Sequence, residues 1–285
     1  MGRRFDRIYI LGYMKKVIFI LLAISCLTFS CSKEEEYTIV NINNKIYVLG
    51  HGGMGVGKAQ YPLDSYEAIQ MAISMGADGS EFDVQITKDS VLVCFHDKYL
   101  EEATYGSGEI CNKNWAEIKD AEYKGTPYTN YKICSIDWLL ANIDANMYKF
   151  TFDIKFNSSD QSAVNRDVFQ RALLRVIEKY QIEKSISLES PSADFLETLK
   201  AKNNNLNLFI YSEVDEALTI AKELGLKGIT VKAEDISVDQ VTDAHNNGLM
   251  VAVFSTTRRN HDEVISKNVD IIQTDDLEDL IARLK

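Results

Sequence analysis

Short apolar runs and helical patterns alternate along the chain from about residue 46 to the end. The runs IYVLGH (46–51), YKFTFDI (148–154) and LMVAVFS (249–255) contain few polar positions, which is typical of strands buried on both faces. Segments such as VFQRALLRVIEKY (168–180) place apolar residues at helical spacing between these runs. Repeated strand–helix units of this kind predict a parallel sheet that is covered by helices.

The number of these units favours a closed sheet. Of nine apolar runs, VLVCF (91–95) follows GSEFDVQI (79–86) so closely that it predicts a hairpin partner, which leaves eight βα units. Eight units over roughly 250 residues predict an α/β fold of the TIM (β/α)8 barrel type. An open doubly wound sheet is the alternative, but the HGGMGVG segment after the first strand lacks both the GxGxxG pattern and an immediate helix.

One stretch departs from the alternation and marks the domain organisation. Residues 98–134 are polar, rich in tyrosine and glycine, and carry Trp115. We predict that they form a small insertion after the second strand unit, over the C-terminal face of the barrel, where it shapes or covers a pocket. Residues 32–45 are polar and predict a tether. The barrel domain itself is predicted over residues 46–285.

The N-terminal segment has the pattern of an export signal. Lysines at 15–16 precede the apolar run VIFILLAISCLTFS, which is short for a membrane span and ends in small residues. We therefore predict a leader over residues 1–31, with Met14 as the true initiator. The segment LTFSC resembles a bacterial lipoprotein signal, which implies lipidation at Cys31, with Cys26 as a competing site. The predicted location is the bacterial envelope, most simply the outer membrane; an ordinary secreted protein is the alternative.

Three cysteines remain after the leader, and their odd number predicts at least one free thiol in an exported protein. Cys94 lies in an apolar run and is expected in the core. Cys111 and Cys134 flank one loop region, so a disulfide between them and two free thiols both remain open.

The charge balance limits the classes of partner. The formal net charge is −11, whereas a nucleic-acid-binding protein needs a basic surface, so nucleic acid is excluded as the expected partner. An anionic small molecule is still compatible, because a bound divalent cation reverses the local sign of the charge.

Titratable side chains collect at the ends of the first predicted strands. Residues i and i+2 of a strand point to the same side, as Glu81 and Asp83 do, and as Asp153 and Lys155 do. Carboxylates that share one face of an apolar strand repel each other and lose hydration unless a cation joins them. Two of the four histidines fall in the same segments. The candidate site residues are His51, Glu81, Asp83, His96, Asp153 and Lys155.

These residue types are suited to phosphodiester hydrolysis. Three carboxylates favour a hard cation such as Ca²⁺ or Mg²⁺, which prefers oxygen ligands. Histidines exchange protons near neutral pH and can divide the roles of acid and base, and a lysine can hold a phosphate as a point charge. The sequence therefore predicts a metal-dependent phosphodiesterase.

The order of the motifs resembles the glycerophosphodiester phosphodiesterase family. The motifs are GHGGMG, GADGSEFDV, TKD, FHD, FDIK and the tail VAVFSTT…NVDIIQTDDLEDL, and they extend over residues 46–285. The resemblance implies a TIM barrel with an insertion after the second strand. It also implies hydrolysis of a small glycerophosphodiester to sn-glycerol 3-phosphate and an alcohol such as choline or ethanolamine.

Carried over by position, the resemblance assigns roles to the candidates and exposes departures. It implies that His51 and His96 are the acid–base pair, that Glu81, Asp83 and Asp153 bind the metal, and that Lys155 contacts the phosphate. The family's phosphate-binding arginine after the first histidine is Gly52 here, and its Pro-Glu-Asn motif is Pro62-Leu63-Asp64. The third metal acid is an aspartate rather than the usual glutamate, and the tail tryptophan is Phe254. These departures leave the preferred substrate open.

Two alternatives remain at the level of sequence. A related phospholipase that cleaves intact lipid would need an apolar rim around the site, and the loops show no obvious apolar cluster. A non-catalytic lipoprotein that binds a phosphorylated ligand or a sugar would explain the loss of the arginine. His245 and His261 are predicted on the surface, and Asp275 and Asp276 are predicted to cap the last helix. The sequence does not indicate the oligomeric state.

Overall fold

The computed structural model describes residues 37–57, 59–125, 127–128, 130–159 and 164–285. The predicted leader, including Met14, Cys26 and Cys31, lies outside these residues. The strands are β1 (Tyr47–Gly50), β2 (Gly79–Ile86), β3 (Leu92–Cys94), β4 (Cys134–Ser135), β5 (Lys149–Ile154), β6 (Ile186–Ser190), β7 (Asn207–Tyr211), β8 (Gly228–Lys232), β9 (Met250–Thr256) and β10 (Ile271–Thr274).

Eight of these strands form a closed parallel barrel. The order around the barrel is β1, β10, β9, β8, β7, β6, β5 and β2, and β2 pairs with β1 to complete the circle. All residues of β2 are buried, including its polar Glu81, Asp83 and Gln85. The prediction of a TIM barrel is confirmed.

Helices cover the outside of the barrel. Five of the ten described helices follow a residue whose side chain accepts a hydrogen bond from the first turn, as Ser65, Asn165 and Ser237 do. Within the described residues, no helix is long and apolar enough to cross a bilayer. The helices are α1 (Tyr66–Ser74), α2 (Leu100–Ala103), α3 (Trp115–Ile118), α4 (Ile136–Asn142), α5 (Arg166–Tyr180), α6 (Ala193–Lys202), α7 (Val214–Leu224), α8 (Val238–Asn246), α9 (His261–Ser266) and α10 (Leu277–Leu284).

A side lobe, defined here as residues 92–135, extends the sheet beyond β2. Strand β3 pairs antiparallel with β2, as the hairpin prediction expects, and the two-residue β4 pairs antiparallel with β3. The helices α2 and α3 and a 3₁₀ turn at Ile110–Asn112 lie between β3 and β4. The lobe has its own apolar core of Val93, Phe95, Leu100, Ile110, Ile118, Tyr123 and Ile133. The description of residues 98–134 as an insertion relative to the family stays a prediction.

The structure answers one question that the sequence left open, the Cys111–Cys134 disulfide, and changes one expectation, the tether. Cys94, Cys111 and Cys134 are buried free thiols, so the Cys111–Cys134 disulfide is absent; Cys134 lies opposite Cys94 in the β3–β4 pair. Part of the predicted tether packs on the barrel, because the Val40 N–H donates to Asn268 Oδ1 at 2.7 Å. The Asn41 side chain likewise donates to a main-chain carbonyl of the barrel.

Aromatic residues on the outer side of β2 and β5 hold the strands that carry the candidate acids. Phe152 is fully buried and its ring centroid lies 4.9 Å from that of Phe82. We expect Phe152→Ala to lower the free energy of unfolding by about 3–5 kcal/mol, because it leaves a cavity in this layer. Met147→Ala is the control, since Met147 is 73% exposed and its truncation should change stability by less than about 0.5 kcal/mol. Urea unfolding measures the free energy of unfolding of both variants. Equal losses would contradict the placement of Phe152 in this buried layer.

Candidate active site

Acidic side chains form a row across neighbouring strands at the C-terminal end of the barrel. Asp83 of β2 pairs in register with Asp153 of β5, and Asp153 pairs with Glu189 of β6. In-register residues of parallel strands point to the same side, and Glu81 joins them because it precedes Asp83 by two positions. Ligand oxygens of Glu81, Asp83 and Asp153 lie within 4.8 Å of one another.

The electrostatics of these acids fit a bound divalent cation. Burial, followed by the charges of Asp83, Glu189 and Asp153, raises the pKa of Glu81 well above its usual range. Burial and the charge of Asp83 raise the pKa of Asp153 to about 6. Asp153 Oδ1 is buried and has no hydrogen-bond partner among the described residues. A hard cation with oxygen ligands would satisfy this oxygen and offset the repulsion, so Ca²⁺ or Mg²⁺ fits the donor set.

Lys155 lies against two of the three acids. Its Nζ is 2.9 Å from Asp83 Oδ1 and also contacts Asp153 Oδ2. Burial alone would lower the pKa of Lys155, but the charges of Asp83 and Asp153 outweigh it and raise the pKa. The ammonium is therefore charged and sits beside the candidate metal site, where a phosphate would also lie.

His51 is oriented by an aspartate that the sequence analysis assigned to a helix cap. His51 Nδ1 is 2.7 Å from Asp275 Oδ1, just after β10. Burial would lower the pKa of His51, but the hydrogen bond and charge of Asp275, with the charges of Asp83 and Asp64, outweigh it and raise the pKa. The capping prediction is wrong for Asp275, because barrel closure brings β10 beside β1. Asp276 occupies the N-cap position of α10 without a capping side-chain hydrogen bond.

His96 stands on the other side of the acid cluster, at the rim. Its side chain is 56% exposed, and its Nδ1 is 2.9 Å from Asp97 Oδ1. The Asn157 side chain donates to the His96 carbonyl at 2.8 Å, which holds the main chain after β3 in place. The charge of His96 lowers the pKa of Asp153, so the histidine lies within electrostatic reach of the cluster.

Two of the positions that depart from the family motifs, Gly52 and Asp64, contact the acid cluster. The Gly52 N–H donates to Glu81 Oε2 at 3.0 Å, and Asp64 Oδ1 accepts from the Asp83 N–H at 3.1 Å. Asp64 Oδ2 is buried without a partner among the described residues. Burial, with the charges of Asp83 and Glu81, raises the pKa of Asp64 well above its usual range. Asp64 is thus a fourth acid at the site, which the sequence analysis did not select.

Two further titratable residues are buried: Glu189, which the sequence analysis did not select, and His261, which it placed on the surface. Glu189 is buried and accepts from Thr230 Oγ1 at 2.8 Å and Gln273 Nε2 at 3.0 Å. Burial and the charge of Asp153 raise its pKa to about 8. The prediction that His261 is a surface residue is wrong: its ring is fully buried between Asp279 and Thr274. For Glu189, the available signal was the segment KSISLES (184–190), whose alternation places the glutamate beside buried positions.

Comparison with known proteins agrees with this arrangement. The model of the glycerophosphoryl diester phosphodiesterase family matches residues 56–279. The chain belongs to this family. A glycerophosphodiester phosphodiesterase from Caldanaerobacter subterraneus subsp. tengcongensis is 26% identical over 243 residues, covering 83% of this chain and 97% of that protein. Membership makes the protein an enzyme of the phosphoric diester hydrolase class.

Solved structures support the same fold. A glycerophosphodiester phosphodiesterase from Parabacteroides distasonis superposes with a TM-score of 0.70 at 24% identity, covering 84% of this chain and 98% of that one. An Oleispira antarctica phosphodiesterase, solved in complex with the product sn-glycerol-3-phosphate, superposes with a TM-score of 0.74 at 19% identity, covering 85% and 97%.

The contact between His51 and Asp275 leads to a test of the phosphodiesterase site. We expect Asp275→Asn to lower kcat/KM by about 10- to 100-fold, because the imidazole loses the carboxylate that orients it. Since Asp275 raises the pKa of His51, the limb of the pH–rate profile that reports His51 should move to lower pH. Asp276→Asn, at the next residue, is the control and should leave that limb in place. An unshifted limb in Asp275→Asn would rule out this positioning role.

Proposed function

We propose that the protein hydrolyses glycerophosphodiesters to sn-glycerol 3-phosphate and an alcohol, with a divalent cation, Ca²⁺ or Mg²⁺, held by Glu81, Asp83 and Asp153. The observation that carries the proposal is the convergence of three buried carboxylates within 4.8 Å. Two histidines, each in contact with an aspartate, lie within electrostatic reach of them. Family membership supports the reaction class, and the product complex of the Oleispira antarctica neighbour supports the product.

In this mechanism Glu81, Asp83 and Asp153 would hold the cation, which when bound would offset negative charge on the phosphoryl oxygens. Lys155 adds a second positive charge, since its ammonium lies 2.9 Å from Asp83 and is positioned to contact a phosphate held beside the acids. No arginine follows His51, so Lys155 is the main side-chain cation that the proposal assigns to the phosphate. Lys58 lies outside the described residues, and Lys232 is exposed at the end of β8.

The two histidines move the protons. Each has its Nδ1 on an aspartate, which leaves Nε2 for the reacting groups. We assign His51, next to the acid cluster, to the nucleophile, and His96, at the rim, to the leaving oxygen. His51 Nε2 takes a proton from the attacking water as the water oxygen bonds to phosphorus, and donation of a proton by His96 Nε2 converts the departing alkoxide to a neutral alcohol. Proton exchange with solvent then returns both histidines to their starting forms.

The test is release of sn-glycerol 3-phosphate from a panel of glycerophosphodiesters, with and without Ca²⁺ or Mg²⁺. Metal-dependent release supports the proposal. A folded protein that releases no glycerol phosphate with either metal, yet binds the diesters equally well as His51→Ala, would instead be a binding protein. Release of a head group from intact bilayers, with deacylated diesters untouched, would indicate a phospholipase.

We also propose that the protein is exported and anchored by lipid to the bacterial envelope through Cys31, with the outer membrane as its location. The support is the apolar run that ends in LTFSC. Palmitate labelling in a bacterial host should mark the parent protein and Cys26→Ala, but not Cys31→Ala. Labelling that survives Cys31→Ala would overturn the assignment.

A further inference from the structure

A cavity of about 540 Å³ opens beside His96, between the loop that follows β1 and the side lobe. Its volume falls within the range of small-molecule sites. The Tyr128 hydroxyl donates to the Ala59 carbonyl at 3.4 Å, which joins the two sides of the cavity. Apolar walls come from Val56, Ala59, Leu63, Phe95, Ala103 and Tyr128. This corrects the expectation that the loops carry no apolar cluster.

Three charged residues that line the cavity have protein partners, whereas one carboxylate oxygen of Asp64, which also lines it, has none among the described residues. Glu102 accepts from the Tyr99 N–H at 3.0 Å, and Asp97 holds His96 Nδ1 at 2.9 Å. Lys124 donates to the Glu101 carbonyl. A ligand in this cavity therefore meets mainly apolar surface, whereas the acid cluster lies beyond Asp64.

Two of the departures from the family motifs bear on the inner wall of the cavity, which Leu63 lines. Leu63 replaces the glutamate of the motif, and Gly52 replaces the arginine. Gly52 has φ of +56°, and a Cβ built there would lie 2.9 Å from Leu63 Cδ2. The leucine thus packs where an arginine would begin, so the two replacements are sterically coupled. Together they remove two charges from this side of the site.

We propose that this cavity is the subsite for the leaving alcohol and that it selects alcohols with an apolar alkyl or aryl body over small polar ones. The inference rests on the proposed function, because His96, which we assign to the leaving oxygen, lines the same cavity. Each methylene that the cavity buries should raise kcat/KM roughly fourfold, the factor that corresponds to transfer of one methylene out of water.

The first experiment measures kcat/KM for ethyl, butyl and hexyl esters of sn-glycerol 3-phosphate, with the choline ester as a cationic comparison. The three alkyl alcohols have nearly equal leaving-group basicity, so a gradient reports burial. We expect a rise from ethyl to hexyl. A flat series, or a choline ester that exceeds the hexyl ester, would overturn the proposal. If no ester is hydrolysed, the proposed function itself fails, which separates the two outcomes.

A pair of matched variants locates the effect. Val56 lines the cavity and is 48% exposed, whereas Val238 begins α8 and is 51% exposed. Val56→Glu should lower the hexyl-to-ethyl ratio of kcat/KM by about 10-fold or more, because it places a charge in an apolar wall. Val238→Glu should keep the parent ratio. Because the hexyl-to-ethyl ratio compares two substrates on one protein sample, a partial loss of folded protein does not change it. Equal ratios in Val56→Glu and Val238→Glu would overturn the proposal.

Discussion

Asp83→Asn is expected to lower kcat/KM by about 10³-fold or more at moderate metal concentration, because it removes one of three anionic ligands. Asp83 lies close to both Asp153 and Lys155, with 2.9 Å between Lys155 Nζ and Asp83 Oδ1. Its carboxylate therefore interacts with the proposed metal and also with the lysine that we assign to the phosphate. Chelation should abolish the activity of the parent protein, and added Ca²⁺ or Mg²⁺ should restore it. Asp120→Asn is the control, since Asp120 is exposed and pairs with Lys132, away from the acid cluster in sequence.

The same variant tests the metal role through stability. Asp83→Asn removes one like charge from the buried acids but also removes the 2.9 Å contact of Lys155 with Asp83, so each protein is compared with and without metal. Metal at about 100 times its dissociation constant should stabilise the parent by about 2.7 kcal/mol and the variant far less. Full activity in excess chelator, or equal metal-induced stabilisation in both proteins, would remove these acids from the metal role.

The pH dependence of stability has a defined sign in the metal-free parent. The pKa of Asp153 is raised to about 6 and that of Glu189 to about 8, so the folded state binds these protons more tightly than the unfolded state does. Their contribution to stability is therefore present at low pH and is lost as the pH rises from about 4 to about 8. Metal replaces protons on the acids, so the stabilisation by metal should grow over the same interval.

Local patterns predicted much of this site because strands present alternate residues to one face. Glu81 and Asp83 share a face within β2, and the same alternation places Lys155, the residue after β5, on the side of Asp153, without any knowledge of strand pairing. Buried apolar strands likewise predicted the barrel. The two-residue β4 was too short to give a pattern, and the burial of His261 depends on residues of β10 and α10 that pack around a polar-looking helix.

Contacts between residues far apart in sequence determine the parts of the site that local patterns did not predict. Glu189 joins the acid row only through the register of β5 and β6. Asp275 reaches His51 across 224 positions of sequence, because the last strand of a closed barrel lies next to the first. An aspartate after a strand and before a helix can cap the helix or orient a side chain of a neighbouring strand. Only closure of the barrel selects the second role for Asp275. The cavity beside His96 required the fold of the side lobe, which has no repeating pattern.

His96→Ala is expected to lower kcat/KM on alkyl esters by about 10²- to 10⁴-fold, the usual contribution of a general acid or base. The loss should depend on the leaving group, because an alcohol that departs easily as an anion needs less help from a proton. Phenyl and 4-nitrophenyl esters make a suitable pair: the rings are similar in size, so burial in the cavity nearly cancels, while the basicity of the two leaving groups differs strongly. The nitrophenyl ester should therefore lose much less activity than the phenyl ester.

Two further measurements distinguish loss of an acid from loss of structure. Exogenous imidazole should restore part of the activity of His96→Ala on the phenyl ester, since the His96 side chain is 56% exposed and leaves an accessible space. The slope of log kcat/KM against leaving-group pKa should be steeper in the variant than in the parent, because charge on the leaving oxygen is no longer neutralised in the transition state. Equal losses on the phenyl and 4-nitrophenyl esters, with no rescue, would assign the proton of the leaving group to another residue, and His51 would be the first to examine.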